Sequence, residues 1–164
     1  MEEASGDIAA FLKMVDLFQD LDDSEMVSLI AKAVDQRHED KAFIFKETDP
    51  GDAMFVVLDG TVKIVKLVTG NKFKTLVAMG VGEFFGEMAL LDGQPRSASA
   101  VAHGTARVLR IGRDEFSALM SENPYLGLKV VIRLSRNLVE RLRNTNNQVV
   151  EMASWNIQQR EMNK

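Results

Sequence analysis

The stretch AMFVVLDGTVKIVKLVTGNKFKTLVAM (residues 53–79) decides the fold class. It contains three short runs rich in β-branched and aromatic residues, AMFVVL (53–58), TVKIVKLV (61–68) and KFKTLVAM (72–79). Between them, Asp59-Gly60 and Thr69-Gly70-Asn71 are hairpin signals. In the third run Phe73, Val77 and Met79 are expected to share a face with Thr75. The same pattern continues outward. AFIF (42–45) precedes the turn Asp49-Pro50-Gly51-Asp52, and ASAVA (98–102) and ARVLRI (106–111) flank a further turn signal at His103-Gly104. Many short strands of even spacing predict an antiparallel sandwich, jelly roll or barrel.

Helical periods bracket these strands. Ile8, Phe11, Leu12, Val15 and Phe18 predict one helical stripe from Asp7 to Phe18. Asp22 is expected to cap a second helix, with Glu25 completing a capping box and Met26, Leu29, Ile30 and Val34 forming the buried face. Beyond the strands, Asp114, Glu115, Phe116, Leu119 and Met120 predict a short helix, and Asn123-Pro124 starts a long one with Pro at its first position. A heptad seam on that helix places Leu128, Ser135, Leu142, Val149 and Asn156 at one core position and Val131, Leu138, Thr145, Met152 and Gln159 at the other. Leu126, Val130, Ile132, Leu134 and Val139 fall off this seam, so one face is expected to pack on the domain and another on a second chain. Asn144-Thr145-Asn146-Asn147 are poor helix formers and predict a kink, an end or a ligand contact. The resulting division is a helical segment (1–35), a strand-rich body (36–112) and carboxyl-terminal helices with a dimerisation helix and tail (113–164).

The totals bound the function. The 164 residues, 46% hydrophobic and 27% charged, suit one globular domain with a real core. A net charge of −4 argues against a broad nucleic-acid footprint. With no cysteine, the chain has no disulfide, thiolate metal site or cysteine nucleophile. No apolar run approaches the roughly 18 residues of a membrane span, so no membrane partner and a cytoplasmic location are expected. His38 and His103 are far apart and lack the clustering of a metal or catalytic site. No cofactor is expected, and a metalloenzyme on a cupin-like roll is set aside. The glycines between Gly80 and Gly86 do not form a dinucleotide fingerprint, because the last interval is one residue too long and no crossover helix follows. Nine methionines read as core fillers, and Trp155 as an anchor on a partner or the mark of an interaction tail.

The chemistry concentrates in GEMALLDGQPRSA (residues 86–98). Gly86 allows close backbone approach, and Glu87 to Leu91 suffice for little more than one helical turn, whose first amides lack intrahelical acceptors. Gly86, Met88 and Ala89 are therefore placed to aim N–H groups at an anion. Arg96 follows the turn at Gly93-Gln94-Pro95 with a guanidinium fork for the same anion, and Ser97 adds a hydroxyl. A carboxylate beside a phosphate needs its own donor, and a ribose 2′-hydroxyl attached to that phosphate would supply one to Glu87.

FGEMALLDGQPRSA resembles the phosphate-binding cassette of cyclic nucleotide-binding domains, and TDPGDAMFVVLDGTVKI resembles the strand-turn-strand that precedes it; the resemblance runs from about Phe11 to about Asn147. It implies an eight-stranded antiparallel β-roll, a jelly roll, bracketed by helices. It also implies that Glu87 binds the ribose 2′-hydroxyl, that Arg96 binds the phosphate, and that Gly86, Met88, Ala89, Ser97 and Ala98 line the cyclic phosphate. The Glu87-to-Arg96 spacing is similar to regulatory subunits of the cyclic-AMP-dependent kinase. The Arg-Ser pair and the long helix are similar to the bacterial catabolite activator type, in which a polar pair on the dimer helix reaches the base; Thr145 and Asn146 take that place here. About 20 residues follow Thr145, too few for the winged helix-turn-helix of that type, so no direct DNA reading is expected.

The sequence thus predicts a non-enzymatic, homodimeric sensor of cyclic AMP, with cyclic GMP left open by Ser97 and a downstream protein partner unidentified. The rival reading is a degenerate roll acting as a dimeric scaffold, against which the intact Gly86, Glu87, Arg96 and Ser97 set argues.

Overall fold

The computed structural model describes residues 2–70 and 72–162, with side chains for 6–70, 72–88, 90–147 and 149–151. Asn71 and the side chains of Ala89, Met152, Trp155, Asn156 and Gln159, all named above, lie outside the described residues.

The predicted amino-terminal stripe is buried but is not one helix. Helix α1 (Glu2–Leu12) ends before a separate 3-10 turn at Asp16–Phe18. Leu12, Val15 and Phe18 are buried, and Ile8 and Phe11 pack against the same cluster. The break has a tertiary cause: Asp16 accepts hydrogen bonds from Arg133 and Asn137 of the last helix, which draws the turn onto that helix. Helix α2 (Asp23–Ala31) carries the expected capping box, with Asp22 Oδ1 accepting from the Glu25 N–H and Glu25 Oε2 from the Asp22 N–H, both at 2.9 Å. Val34 is not on its buried face. The helix stops at Ala31, and Val34 lies 49% exposed in strand β1 (Ala33–His38), where the ladder from Ala33↔Ile111 to His38↔Ala106 overrides the helical period.

The remaining strands are β2 (Phe43–Phe45), β3 (Ala53–Thr69), β4 (Lys72–Met79), β5 (Phe84–Phe85) and β6 (Ser99–Gly112). They form one antiparallel sheet in the order β1-β6-β3-β4, with β2 on β6 and β5 on β3. Asp59-Gly60 and His103-Gly104 are not hairpins, because β3 and β6 run through them and pair from Ala53↔Gly112 to Val65↔Ser99. Each strand bends there at a glycine of positive φ, +80° at Gly60 and +73° at Gly104, with register shifts on both sides of Asp59. Gly60 is also sterically required, since a Cβ there would lie 2.3 Å from the Thr105 carbonyl oxygen. Among the described residues the expected eight strands are therefore six, two of them long and bent in the middle. The Thr69–Lys72 connection is a true hairpin. In β4 a bulge at Leu76 sets Thr75 opposite Val65 but Val77 opposite Ile64. Thr75 and Val77 thus fall on opposite faces, and the single apolar face expected of this strand does not form. Phe73 and Val77 stay 49% and 45% exposed, while Met79 is buried.

Two cores result. One, under the helices, joins Leu12, Phe18, Met26, Leu29, Met54, Val56, Leu109 and Ile111 to Phe116, Leu119, Leu126, Val130 and Leu134. The other fills the roll with Phe55, Val57, Val62, Met79, Phe85 and small alanines. Helix α4 (Arg113–Glu122) leads into α5 (Pro124–Met162), whose first amides at Tyr125 and Leu126 donate to Asn123 Oδ1. At 1.5 Å per residue α5 is about 58 Å long. Its inner residues hold it to the body; truncating Leu126 or Leu134 to Ala is expected to cost about 2–5 kcal/mol. Helix α5 does not end at Asn144–Asn147, and Thr145 Oγ1 donates to the Arg141 carbonyl at 2.9 Å. Of the proposed seam, Val131 and Leu138 are half-buried in the chain's own fold, whereas Ile132 and Val139 stand exposed beside Leu128 and Leu142.

Candidate functional site

The loop between β5 and β6 turns on Gly86, at φ +73°. A Cβ on this residue would lie 2.9 Å from Arg96 Nη1 and 3.2 Å from the Ala53 carbonyl oxygen. A side chain here would displace the arginine. Helix α3 (Met88–Asp92) is the single turn predicted, closed by Gly93 in the left-handed conformation. Gln94 and Pro95 then carry the chain back to Arg96, whose N–H donates to the Asp49 carbonyl at 2.8 Å.

Arg96 is 7% exposed and Glu87 5%. Charges this buried need partners, and each has one. Arg96 Nη1 donates to the carbonyls of Ala53 (2.7 Å) and Gly86 (3.3 Å), and Nη2 to Asp52 Oδ1 (3.0 Å). Its guanidinium stacks 4.1 Å from the Phe45 ring centre. Among the described residues Nε is buried without an acceptor, leaving a donor for an anionic oxygen. Burial lowers the Arg96 pKa below the ordinary arginine value, with Asp52 opposing. At Asp52 burial pushes the carboxyl up, but the hydrogen bond from Arg110 and the charges of Arg110 and Arg96 outweigh it and hold it below the usual value.

Glu87 Oε1 accepts from Arg141 Nη1 at 2.6 Å, and Arg141 Nη2 donates to the Phe84 carbonyl at 2.8 Å. Arg141 thus joins α5 to the loop. Its one signal in the sequence is that it follows Leu134 by two helical turns and so shares its inward face. Asp52 likewise shows in the sequence only as a turn residue.

These groups enclose a cavity of about 280 Å³. Gly86, Glu87, Met88, Arg96, Ser97 and Ala98 line its polar end with Asp92, Gln94 and Arg141, and Phe45, Ile64, Val77, Met79 and Phe85 form its apolar wall. The volume is near the lower end for small-molecule sites, and the split into one charged end and one flat apolar wall suits a phosphorylated ring compound. Thr145 and Asn146 are exposed on α5 and do not line this cavity; among the described residues Arg141 is the α5 residue that does.

Residues 35–123 match the family model of the cyclic nucleotide-binding domain. The cyclic AMP receptor protein of Thermus thermophilus is 38% identical over 97 residues, covering 59% of this chain and 45% of that protein. A solved cyclic nucleotide-binding domain from Methylobacillus flagellatus superposes with a TM-score of 0.78 at 30% identity, over 90% of this chain and 83% of that one. The regulatory domain of Toxoplasma gondii cyclic-AMP-dependent kinase, solved with cyclic AMP, gives 0.66 at 27% identity, over 73% of this chain and 45% of that one. The chain spans about half the length of the curated relatives it matches. With the bent-strand roll, the glycine-hinged loop and a family match across more than half its length, the chain belongs to the cyclic nucleotide-binding domain family.

Proposed function

We propose that this chain is a non-enzymatic sensor whose ligand is cyclic AMP, acting as a homodimer on a downstream protein. The observation that carries the reading is the pair of buried, opposite charges, Glu87 and Arg96, lining one cavity of suitable size. In the proposed pose Arg96, with Nε free to donate, takes the cyclic phosphate together with backbone N–H groups at Gly86, Met88 and Ala89 and the edge formed by Ser97 and Ala98. Glu87 accepts from the ribose 2′-hydroxyl, and the base lies along Ile64 and Val77. A phosphate competes with Asp52 for Arg96 and draws the loop inward. Because Arg141 ties Glu87 to α5, the same movement is carried to the helix. The ligand shifts that helix only by its differential affinity for the two positions.

Calorimetric titration of cyclic AMP, cyclic GMP and 5′-AMP into the purified chain tests this. Tight binding of cyclic AMP, weak binding of 5′-AMP and loss of binding in Arg96→Ala are expected. Tighter binding of cyclic GMP would reassign the signal through Ser97. No heat with any of the three, from protein free of co-purified nucleotide, would favour the scaffold reading.

A further inference from the structure

Strand β3 pairs with β6 only as far as Val65↔Ser99. Beyond that point, among the described residues, Lys66, Leu67 and Thr69 pair with β4 alone. The two strands leave the roll as a two-stranded ribbon, a form that is marginal in water without a cover. Its faces differ. Leu67 lies directly opposite Phe73, 48% and 49% exposed, and the Phe73 ring meets that of Phe43, 39% exposed, at 6.0 Å between centres. On the other face Lys66 lies directly opposite Lys74. Like charges set across a strand pair are destabilising, so the ribbon's own stability does not account for this pairing.

The charge is one-sided as well. Residues 60–82 hold Lys63, Lys66, Lys72 and Lys74 and no acid, within a chain of net charge −4. Lys66 is engaged by Glu47 at 3.1 Å and by the Ser97 carbonyl at 2.9 Å. Lys72 and Lys74 are exposed and pair with no carboxylate among the described residues. Lys46 adds a cation 5.3 Å from the Phe43 ring centre. Whatever covers the ribbon must therefore offer negative charge and an apolar phase together. A second copy of this chain does not fit, because the exposed face of α5 presents Arg136 and Arg143, and the amino-terminal acids Asp16, Asp20 and Asp23 are already paired with Arg133 and Lys13. An acidic peptide would meet the lysines and leave Leu67, Phe73 and Phe43 in water. The bulge at Leu76 also interrupts the β4 edge along which an added strand would pair. An anionic bilayer sets a charged headgroup layer over hydrocarbon and satisfies both faces, the apolar side chains sinking while the lysine stems snorkel to the headgroups.

We infer that the β3–β4 ribbon is a docking element for an anionic membrane surface. The contact is peripheral, and among the described residues no helix is long and apolar enough to cross a membrane. This revises the sequence-based expectation of no membrane partner, which rested on span length alone. It goes beyond the nucleotide reading and does not depend on it, since Lys72, Lys74, Leu67 and Phe73 do not line the nucleotide cavity.

The test is co-sedimentation of the whole chain with phosphatidylcholine vesicles, with and without about one-third phosphatidylserine. Binding is expected to the anionic vesicles and not to the neutral ones, and to fall as salt is raised, because surface attraction is screened. Replacing Lys72→Glu and Lys74→Glu together is expected to weaken vesicle binding by more than about tenfold, each lysine near such a surface contributing about fivefold. Replacing Leu67→Ser and Phe73→Ser together is expected to weaken it by at least about tenfold. Thermal melts and cyclic AMP titrations of both variants are expected to match the parent, which separates lost docking from lost folding. Absence of binding to the anionic vesicles, or unchanged binding in either variant, would overturn the inference. Lysine-dependent binding of a polyglutamate peptide without vesicle binding would overturn it in favour of an acidic protein partner. Dissociation of a dimer in the Leu67 and Phe73 variant, again without vesicle binding by the parent, would overturn it in favour of a second copy.

Discussion

Glu87 and Arg96 stand at the two ends of one short loop, both more than nine-tenths buried, and both matched by an opposite charge from elsewhere in the chain. The partners differ in what they are attached to. Asp52 sits at the start of β3 and is also gripped by Arg110 of β6, so the arginine end is anchored to the sheet. Arg141 rides on α5, so the carboxylate end is anchored to a helix held to the body by a few buried aliphatics and a row of polar contacts. A ligand bridging the two ends would take most of its affinity from the fixed end and transmit its presence through the other.

Four measurements break or sharpen that contrast. Arg96→Ala is expected to have the largest effect, weakening cyclic AMP binding by roughly ten- to a hundredfold, since a hydrogen bond to a charged group contributes about 1.5–3 kcal/mol. A thermal melt of the same variant separates lost binding from lost folding. Glu87→Gln comes next, at about tenfold, because the amide keeps the shape but accepts less strongly from the sugar hydroxyl. Arg141→Ala is expected to change affinity by only about threefold while removing the nucleotide-dependent protection from hydrogen exchange along residues 124–147. An affinity loss as large as that of Arg96→Ala would make Arg141 part of the binding end and erase the contrast.

The smallest effect concerns pH. The folded Asp52 carboxyl lies below its ordinary value of 3.8, so its stabilisation is complete above that value and is lost as pH falls through the lower folded value. The side chain is 62% exposed, and solvent screening keeps the contribution small. The modest gap in melting temperature between the parent and Asp52→Asn should therefore be constant above about pH 4 and close progressively as pH falls below it. A gap independent of pH would show that Asp52 acts by shape alone.

The loop was legible because its chemistry is local. Gly86, the single turn of α3, the Gly93 cap and Arg96 fall within a dozen residues, and backbone conformation alone brings them together. The second helix was legible for the same reason, its capping box being a three-residue relation. Asp59-Gly60 misled because a positive-φ glycine serves a hairpin and a strand bend equally well, and only pairing with β6 distinguishes them. Val34 misled because its helical spacing carried no sign of the ladder that claims it.

The sequence by itself determined the class of fold, the family's binding loop and the two charges at its ends, all of which rest on periodicity, turn chemistry and short spacing. Only the tertiary structure decided what neutralises those charges, Asp52 forty-four residues before Arg96 and Arg141 fifty-four after Glu87. It also decided which stripe of α5 faces outward, since Val131 and Ile132 are equally apolar as letters and differ only in what lies against them. The physical reason is that a buried charge or an apolar face must find a partner somewhere, and its choice among distant candidates is made by packing, which local sequence does not encode.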